Sequence, residues 1–197
     1  NDGKLISNEA GKGNVYLVHD PWRPVPSTGG HLSPNPGPAD RRLIDMRSDV
    51  ATFTSNILTE RITLKGIPTL EVFAESDQEG FDLCTSLSII NEGNKSINQI
   101  STGVLRVLGK GARENINRVV KFQPIFADLN KGESLRLSIS GSAWPAIAIN
   151  SGHAEIVCEA PNPKCKITTI KLCLFDSKLC IKSLVSELGF QELRLSD

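Results

Sequence analysis

The chain has 197 residues, 39% hydrophobic and 22% charged, with 22 basic side chains balancing 22 acidic ones. That length suits one domain with a substantial core. Zero net charge with scattered basic residues gives no general pull toward nucleic acid or an anionic membrane, and no apolar run approaches the roughly 20 residues that span a bilayer.

The opening Asn1-Asp2-Gly3-Lys4 is polar and turn-like, not a secretory leader. No Met stands at the start, and Met46 is the only one in the chain. The chain therefore reads as a piece trimmed from a longer protein.

Period-two alternation dominates the rest of the chain. The first strand is predicted over Asn14–His19. Asp20–Pro38 differs in kind, carrying Pro21, Pro24, Pro26, Pro34, Pro36 and Pro38 with Gly29, Gly30 and Gly37. Proline fixes φ and gives nothing to a ladder, so this stretch is a long, ordered, irregular loop. Loops of that length are usually functional or interface-forming. A short helix is predicted over Ala39–Arg47, after Pro38. Strands come next at Val50–Ser55, Glu60–Leu64 and Leu70–Ala74.

Glu75-Ser76-Asp77-Gln78-Glu79-Gly80 reads as a solvated hairpin turn, since calcium demands a fuller ligand set. Phe81, Leu83, Thr85, Leu87 and Ile89 then alternate with Asp82, Cys84, Ser86 and Ser88. Further strands are predicted at Val104–Leu108 and Arg118–Phe122. Leu135, Leu137 and Ile139 alternate with Arg136, Ser138 and Ser140. His153–Cys158, Ile170–Leu174 and Leu179–Ser183 complete the strands, while Leu184–Leu195 stays open between a helical turn and a last strand. Turn signals at Lys65-Gly66, Asn91–Asn94, Lys110-Gly111, Asn130–Gly132 and Pro161–Pro163 separate them. Many short strands, punctuated this way and without helical periods between them, predict an all-β sandwich or barrel in one domain over 1–197.

Catalytic machinery is missing. There is no G-x-S-x-G elbow, and Ser138-Ile139-Ser140-Gly141-Ser142 lacks the preceding glycine and reads as strand. His19, His31 and His153 have no nucleophile and carboxylate set beside them. His19 and Asp20, adjacent on a strand, point to opposite faces. There is no HExxH, EF-hand loop, P-loop or GxGxxG, so no metal or cofactor is expected. Cys84, Cys158, Cys165, Cys173 and Cys180 are odd in number and lack the close pairs of zinc sites, so they read as strand cysteines of a cytoplasmic chain. For Trp144 the plain reading is burial in the domain's core, with pocket or interface lining the other. For Trp22, in the irregular loop, both stand.

Several runs carry a family resemblance. His19-Asp20-Pro21-Trp22-Arg23-Pro24-Val25-Pro26-Ser27-Thr28-Gly29-Gly30 is similar to a D-P-x-x-P-V-P-T-x-G-G loop. Gly37-Pro38-Ala39-Asp40-Arg41-Arg42, with Arg47-Ser48-Asp49-Val50 and Thr54-Ser55, resembles G-P-x-D-Q-R … R-x-D-V … T-S. Phe81-Asp82-Leu83, Gly103-Val104-Leu105-Arg106, Leu135–Ser140, Trp144-Pro145 and Asn150 continue the pattern in order, over about residues 14–153. The family is that of X-Pro dipeptidyl-peptidase and cocaine-esterase-like serine hydrolases, and the similar part is its C-terminal domain.

That resemblance implies a jelly-roll β-sandwich, like galactose-binding domains, with catalysis on an α/β-hydrolase domain of the parent chain. Its substrates would be esters and amides. Asp20, Trp22, Arg23, Gly29, Gly30, Asp40, Trp144 and Pro145 are then the expected domain-interface or cleft-lining residues. Ala146-Ile147-Ala148-Ile149 departs from the family's aromatic or Arg-bearing segment, and the tail over 159–197 matches poorly. The family domain also opens with a strand that would lie before Asp2. Association of copies is left open. The alternative is a free-standing carbohydrate-binding or protein-interaction jelly roll, which would need an exposed platform at Trp22 or Trp144.

Overall fold

The structure is a computed structural model that describes residues 2–7, 11–31, 33, 35–93, 95–154, 162–182 and 191–197. Its strands are β1 (Asp2–Ile6), β2 (Asn14–His19), β3 (Val50–Ser55), β4 (Ile62–Gly66), β5 (Thr69–Ser76) and β6 (Gly80–Asn91). They continue with β7 (Ser96–Leu108), β8 (Ile116–Lys121), β9 (Ile125–Leu129), β10 (Glu133–Ser140), β11 (Thr168–Ile181) and β12 (Gln191–Ser196). The helix α1 is confined to Arg42–Asp45, a single turn inside the predicted Ala39–Arg47.

One ladder runs β7-β6-β10-β3-β1-β12-β11-β5-β8, with β2 also on β11, while β4 and β9 form a separate ribbon. The ladder folds over on itself. Phe53, Leu83, Leu87 and Leu137 from one limb share a core with Leu70, Val72, Ile170 and Leu172 from the other. A bridge between Gly103 of β7 and Phe122, just past β8, draws the two ends together. The result is the expected β-sandwich, closed toward a barrel.

The long β11 makes this possible. Residues 168–173 pair with β2 and 178–181 with β12, so two strands lie end to end along one of its edges. Between them its register with β5 shifts, and Asp176 takes a positive φ of 61°. The bulge is internally satisfied: Ser177 Oγ donates to the Cys173 carbonyl at 2.6 Å and accepts from Phe73 N at 3.2 Å. The two strands expected at Ile170–Leu174 and Leu179–Ser183 are therefore one.

Three further expectations change, and one strand was not foreseen at all. Asp2–Ile6 is not a turn but an inner strand, parallel to β3 and antiparallel to β12. Gly3 gave it a turn-like look, but a Cβ there would sit 2.5 Å from the Ser196 carbonyl oxygen and 2.7 Å from the Phe53 ring. The glycine is required by close approach. Glu75–Gly80 is not a hairpin turn. β5 pairs with β8 and β11, β6 with β7 and β10, so the run is a corner between the limbs. The ribbon strand β9, half exposed and interrupted by Ala127 and Asp128, had no clear alternation. His153 begins no strand, and its segment bends. The rest of that prediction (155–158, with Cys158), Pro34, Asn94, Pro161 and Ser183 through Phe190 lie outside the described residues, while the last strand is β12.

Gly3→Val should lower unfolding free energy by about 1–3 kcal/mol through overpacking against Phe53. Lys4→Val, at an exposed neighbour, should stay within about 0.5 kcal/mol. Urea unfolding of the two variants compares them directly.

Candidate functional site

β6 is buried on both faces. Phe81, Leu83 and Leu87 enter the core, whereas Cys84, Ser86 and Ser88 on the opposite face are also shut from water. The Pro/Gly-rich segment and the stretch leading into β3 lie over that outer face as a cover.

Polar groups hold the cover down. Arg41, only 7% exposed, donates from Nε to Asp45 Oδ1 at 3.1 Å and from Nη1 to Gln99 Oε1 at 3.0 Å. Ser86 Oγ also donates to Gln99 Oε1, and Gln99 Nε2 donates to the Thr28 carbonyl at 2.8 Å. Ser138 Oγ donates to Asp45 Oδ1 at 3.0 Å. Burial pulls the Arg41 guanidinium below its ordinary range, opposed by Asp45. The other Asp45 oxygen faces Arg136 Nη1 at 3.8 Å, too far for a hydrogen bond. An apolar peg of Val25, Ile44 and Val50 completes the attachment.

The cover docks edge-on as well. Arg41 N donates to the Ile97 carbonyl and Gln99 N to the Ala39 carbonyl, both at 2.9 Å. Asp40 thus bridges to Asn98, while its exposed carboxylate pairs with Arg42 at 2.6 Å, an interaction that holds it below the usual carboxylate range. Gly29 and Gly30 both have positive φ, and Gly30 bridges to Gly37. A Cβ on Gly29 would lie 2.4 Å from the Gly37 carbonyl oxygen.

The remaining expected site residues gather at the other end. Asp20 Oδ1 accepts from Trp22 N and the Asp20 carbonyl from Arg23 N, each at 3.0 Å, a turn that leaves Trp22 half exposed. Arg47 donates to the Arg23 carbonyl at 3.0 Å. Trp144 N donates to the Val25 carbonyl at 2.9 Å, and Ser27 N to the Trp144 carbonyl at 2.7 Å. Trp144 is 44% exposed, which corrects the core reading: its backbone, not its ring, is what the fold captures. Pro145, across a cis peptide, is exposed. Sequence reasoning missed Leu43 and Met46, exposed by 84% and 82%. Three apolar residues among Leu43-Ile44-Asp45-Met46 were the available signal, but a single helical turn has no period to say which faces outward.

A second polar cluster anchors the Trp144 segment at its far end. Arg106 grips buried Asp82 at 2.9 and 2.6 Å and also reaches the Ala148 carbonyl. Hydrogen bonding to Asp82 raises the Arg106 pKa. Asn150 Nδ2 donates to Asp82 Oδ1 at 2.8 Å, and His19 Nε2 lies 3.1 Å from the Asn150 carbonyl. Since a carbonyl only accepts, His19 carries its proton on Nε2. His31 is exposed beside Thr102 Oγ1, and His153 Nε2 is 2.6 Å from the Lys164 carbonyl. His19 and His153 meet carbonyl oxygens in these bonds, whereas His31 meets the Thr102 hydroxyl.

The cavity under the cover, of about 50 Å³ and lined by Val25, Thr28, Cys84, Gln99, Val104 and Ile147 among others, is far below the roughly 300 Å³ of a ligand pocket. Burial pushes the Cys84 thiol well up, away from nucleophile chemistry. Among the described residues there is no cluster of His, Cys, Asp or Glu fit for a metal, and no helix long and apolar enough to cross a membrane.

Residues 9–178 match the family described as the X-Pro dipeptidyl-peptidase C-terminal non-catalytic domain. The chain belongs to that family. The cocaine esterase of Rhodococcus sp. (strain MB1 Bresler) is 31% identical over 97 residues, which are 48% of this chain and 17% of that protein. An aminopeptidase from a marine sediment archaeon, Thaumarchaeota archaeon, superposes with a TM-score of 0.70 at 14% identity, over 98% of this chain and 36% of that one. An α-amino acid ester hydrolase superposes at 0.67 with 18% identity, over 93% of this chain and 32% of that one. At these identities the superpositions speak for the fold. The chain spans only about a third of the two solved structures.

The cover and its anchor can each be tested. Arg41→Ala leaves buried Asp45 with only Ser138 and the more distant Arg136 for partners and should cost about 3 kcal/mol, the low end for a broken buried pair. Asp40→Ala breaks a solvated pair and should cost no more than about 1 kcal/mol. Chemical denaturation of both variants reads the contrast. Burial lowers the His19 pKa below its ordinary 6.5, outweighing the attraction of Asp82, Asp20 and Asp49. The unfolded chain then binds the proton first, so this group costs stability as pH falls from 6.5 through the lower folded value and is neutral in effect above 6.5. His19→Asn should flatten the slope of stability against pH in that window, read by urea titration at each pH.

Proposed function

We propose that this chain is a single non-catalytic C-terminal unit of a serine hydrolase of the acyl-esterase or X-Pro dipeptidyl-peptidase type. It packs on an α/β-hydrolase domain of its parent chain and shapes that domain's substrate cleft. Esters and amides, peptides with a penultimate proline among them, are the substrate class. What carries the reading is the cover. A Pro/Gly-rich segment is fixed by the buried Arg41–Asp45 pair and joined by backbone bonds to the Trp144 turn, with a cavity of only about 50 Å³ beneath it. So much order in a surface segment is accounted for if the surface is used.

Asp20, Trp22, Arg23, Gly29, Gly30, Asp40, Trp144 and Pro145 are its working residues on this reading. Trp22 and Trp144 supply broad, half-exposed rings suited to an interface or cleft wall. The glycines and Asp40 fix the path of the cover.

The isolated chain should hydrolyse neither an aminoacyl ester nor an X-Pro anilide. The parent should carry a G-x-S-x-G motif upstream of Asn1. Trp22→Ala or Trp144→Ala in the parent should alter KM or kcat severalfold without unfolding it. Hydrolysis by the isolated chain that a Ser→Ala change within it abolishes would sink the proposal. So would a parent without a hydrolase domain. Saturable sugar binding lost with either tryptophan would favour the carbohydrate-binding reading.

A further inference from the structure

We propose that Leu43 and Met46 anchor the face by which this domain docks on its partner, with an apolar patch of the parent's α/β-hydrolase domain as the occupant. This rests on the function proposed above and adds the site of contact, which no motif in the sequence marks. Leu43 and Met46 are the two most exposed large hydrophobic side chains among the described residues, at 84% and 82%. They lie on and just past α1, whose Ile44 is turned inward and held by Val25 and Val50. The helical turn is thus pinned from beneath while presenting leucine and methionine to the outside.

The surroundings match an interface. Trp22 and Trp144 are half exposed on the segments that Arg47 and the Val25 backbone tie to this turn. Leu, Met and Trp with arginine at the rim is a composition typical of contact surfaces and unusual for a solvated one. Charge favours the same conclusion. Residues 20–49 contain four arginines and four aspartates, and Arg41–Asp45, Arg42–Asp40 and Arg47–Asp49 pair among themselves at 3.1, 2.6 and 2.6 Å. Covering the patch strands few charges, which keeps desolvation small.

The outer face of the other limb is the contrast. There Lys171 pairs with Glu75, Lys178 with Glu192, and Arg194 with Asp176 and Glu192. Its exposed Tyr16 and Val18 lie on β2 across the ladder from Lys171 and Thr169, and exposed Phe175 lies at the β11 bulge, so the apolar groups there are interleaved with the ion pairs. Its ion pairs would have to be desolvated on docking, which the self-paired charges around α1 largely avoid. As for the occupant, the chain covers 36% and 32% of the two solved structures, so most of each such protein lies outside the matched region.

The test is Leu43→Ser with Met46→Ser, made in the parent and in the 197-residue chain. In the chain, where both side chains already meet water, the melting temperature should move by no more than about 2 °C and near-ultraviolet circular dichroism should be unchanged. In the parent, a single calorimetric transition should split in two, and amides of residues 40–49 should exchange at least about tenfold faster than in the unmodified parent. A parent that melts and exchanges as before overturns the docking site while leaving the proposed function standing. So does a variant chain that melts far lower on its own. A parent with no hydrolase domain overturns both.

Discussion

The buried Arg41–Asp45 pair is the constraint on which the outer half of this molecule depends. Among its described residues the segment that carries it contributes no helix longer than four residues and no strand, so regular backbone pairing sets little of its path. It is set by a few side-chain bonds to strand residues that face away from the core, by the backbone bridge of Asp40 to Asn98 and by the apolar peg of Val25, Ile44 and Val50. Gln99 is central to this, accepting from Arg41 and Ser86 while donating to the Thr28 carbonyl. In a low-dielectric layer such bonds are strong when complete and costly when one partner is missing.

The same logic explains the serines of β6 and β10. In an ordinary half-buried strand, Ser86, Ser88 and Ser138 would face water. Here they are 2%, 0% and 1% exposed, and two of them bond into the network. The sandwich core provides the bulk of hydrophobic stabilisation, but the polar layer decides where the cover lies. The Asp82–Arg106–Asn150–His19 cluster does the equivalent for the segment bearing Trp144, joining β2, β6 and β7 to one turn. Two polar clusters thus fix two irregular segments, and backbone bonds at Val25 and Ser27 join those segments to each other.

Function is a consequence of what this rigidity presents. The family is described as non-catalytic; in this chain His19 and His153 are bonded to carbonyls, and burial raises the Cys84 thiol. What is unusual is an ordered apolar surface held by buried charge. A surface so constructed is suited to meeting another surface in one orientation, as the proposed function requires.

The sequence by itself determined the strands whose one face is core. Phe81 to Ile89 and Leu135 to Ser140 show that periodicity, and β2 and β3 begin and end at their predicted bounds. It also determined the family, through motifs whose order survives where each alone is weak. It could not show β1, because the glycine that admits the Phe53 ring looks like a turn residue until the ring is in place. Nor could it show that Glu75–Gly80 is a corner, since local turn chemistry is the same whichever strand comes next. The docking face was illegible for a related reason: Leu43, Ile44 and Met46 are equally apolar in sequence, and only the packing of Ile44 on Val25 and Val50 turns the other two outward. Periodicity reports which side of an element is buried, whereas tertiary contact decides what an irregular segment is pressed against.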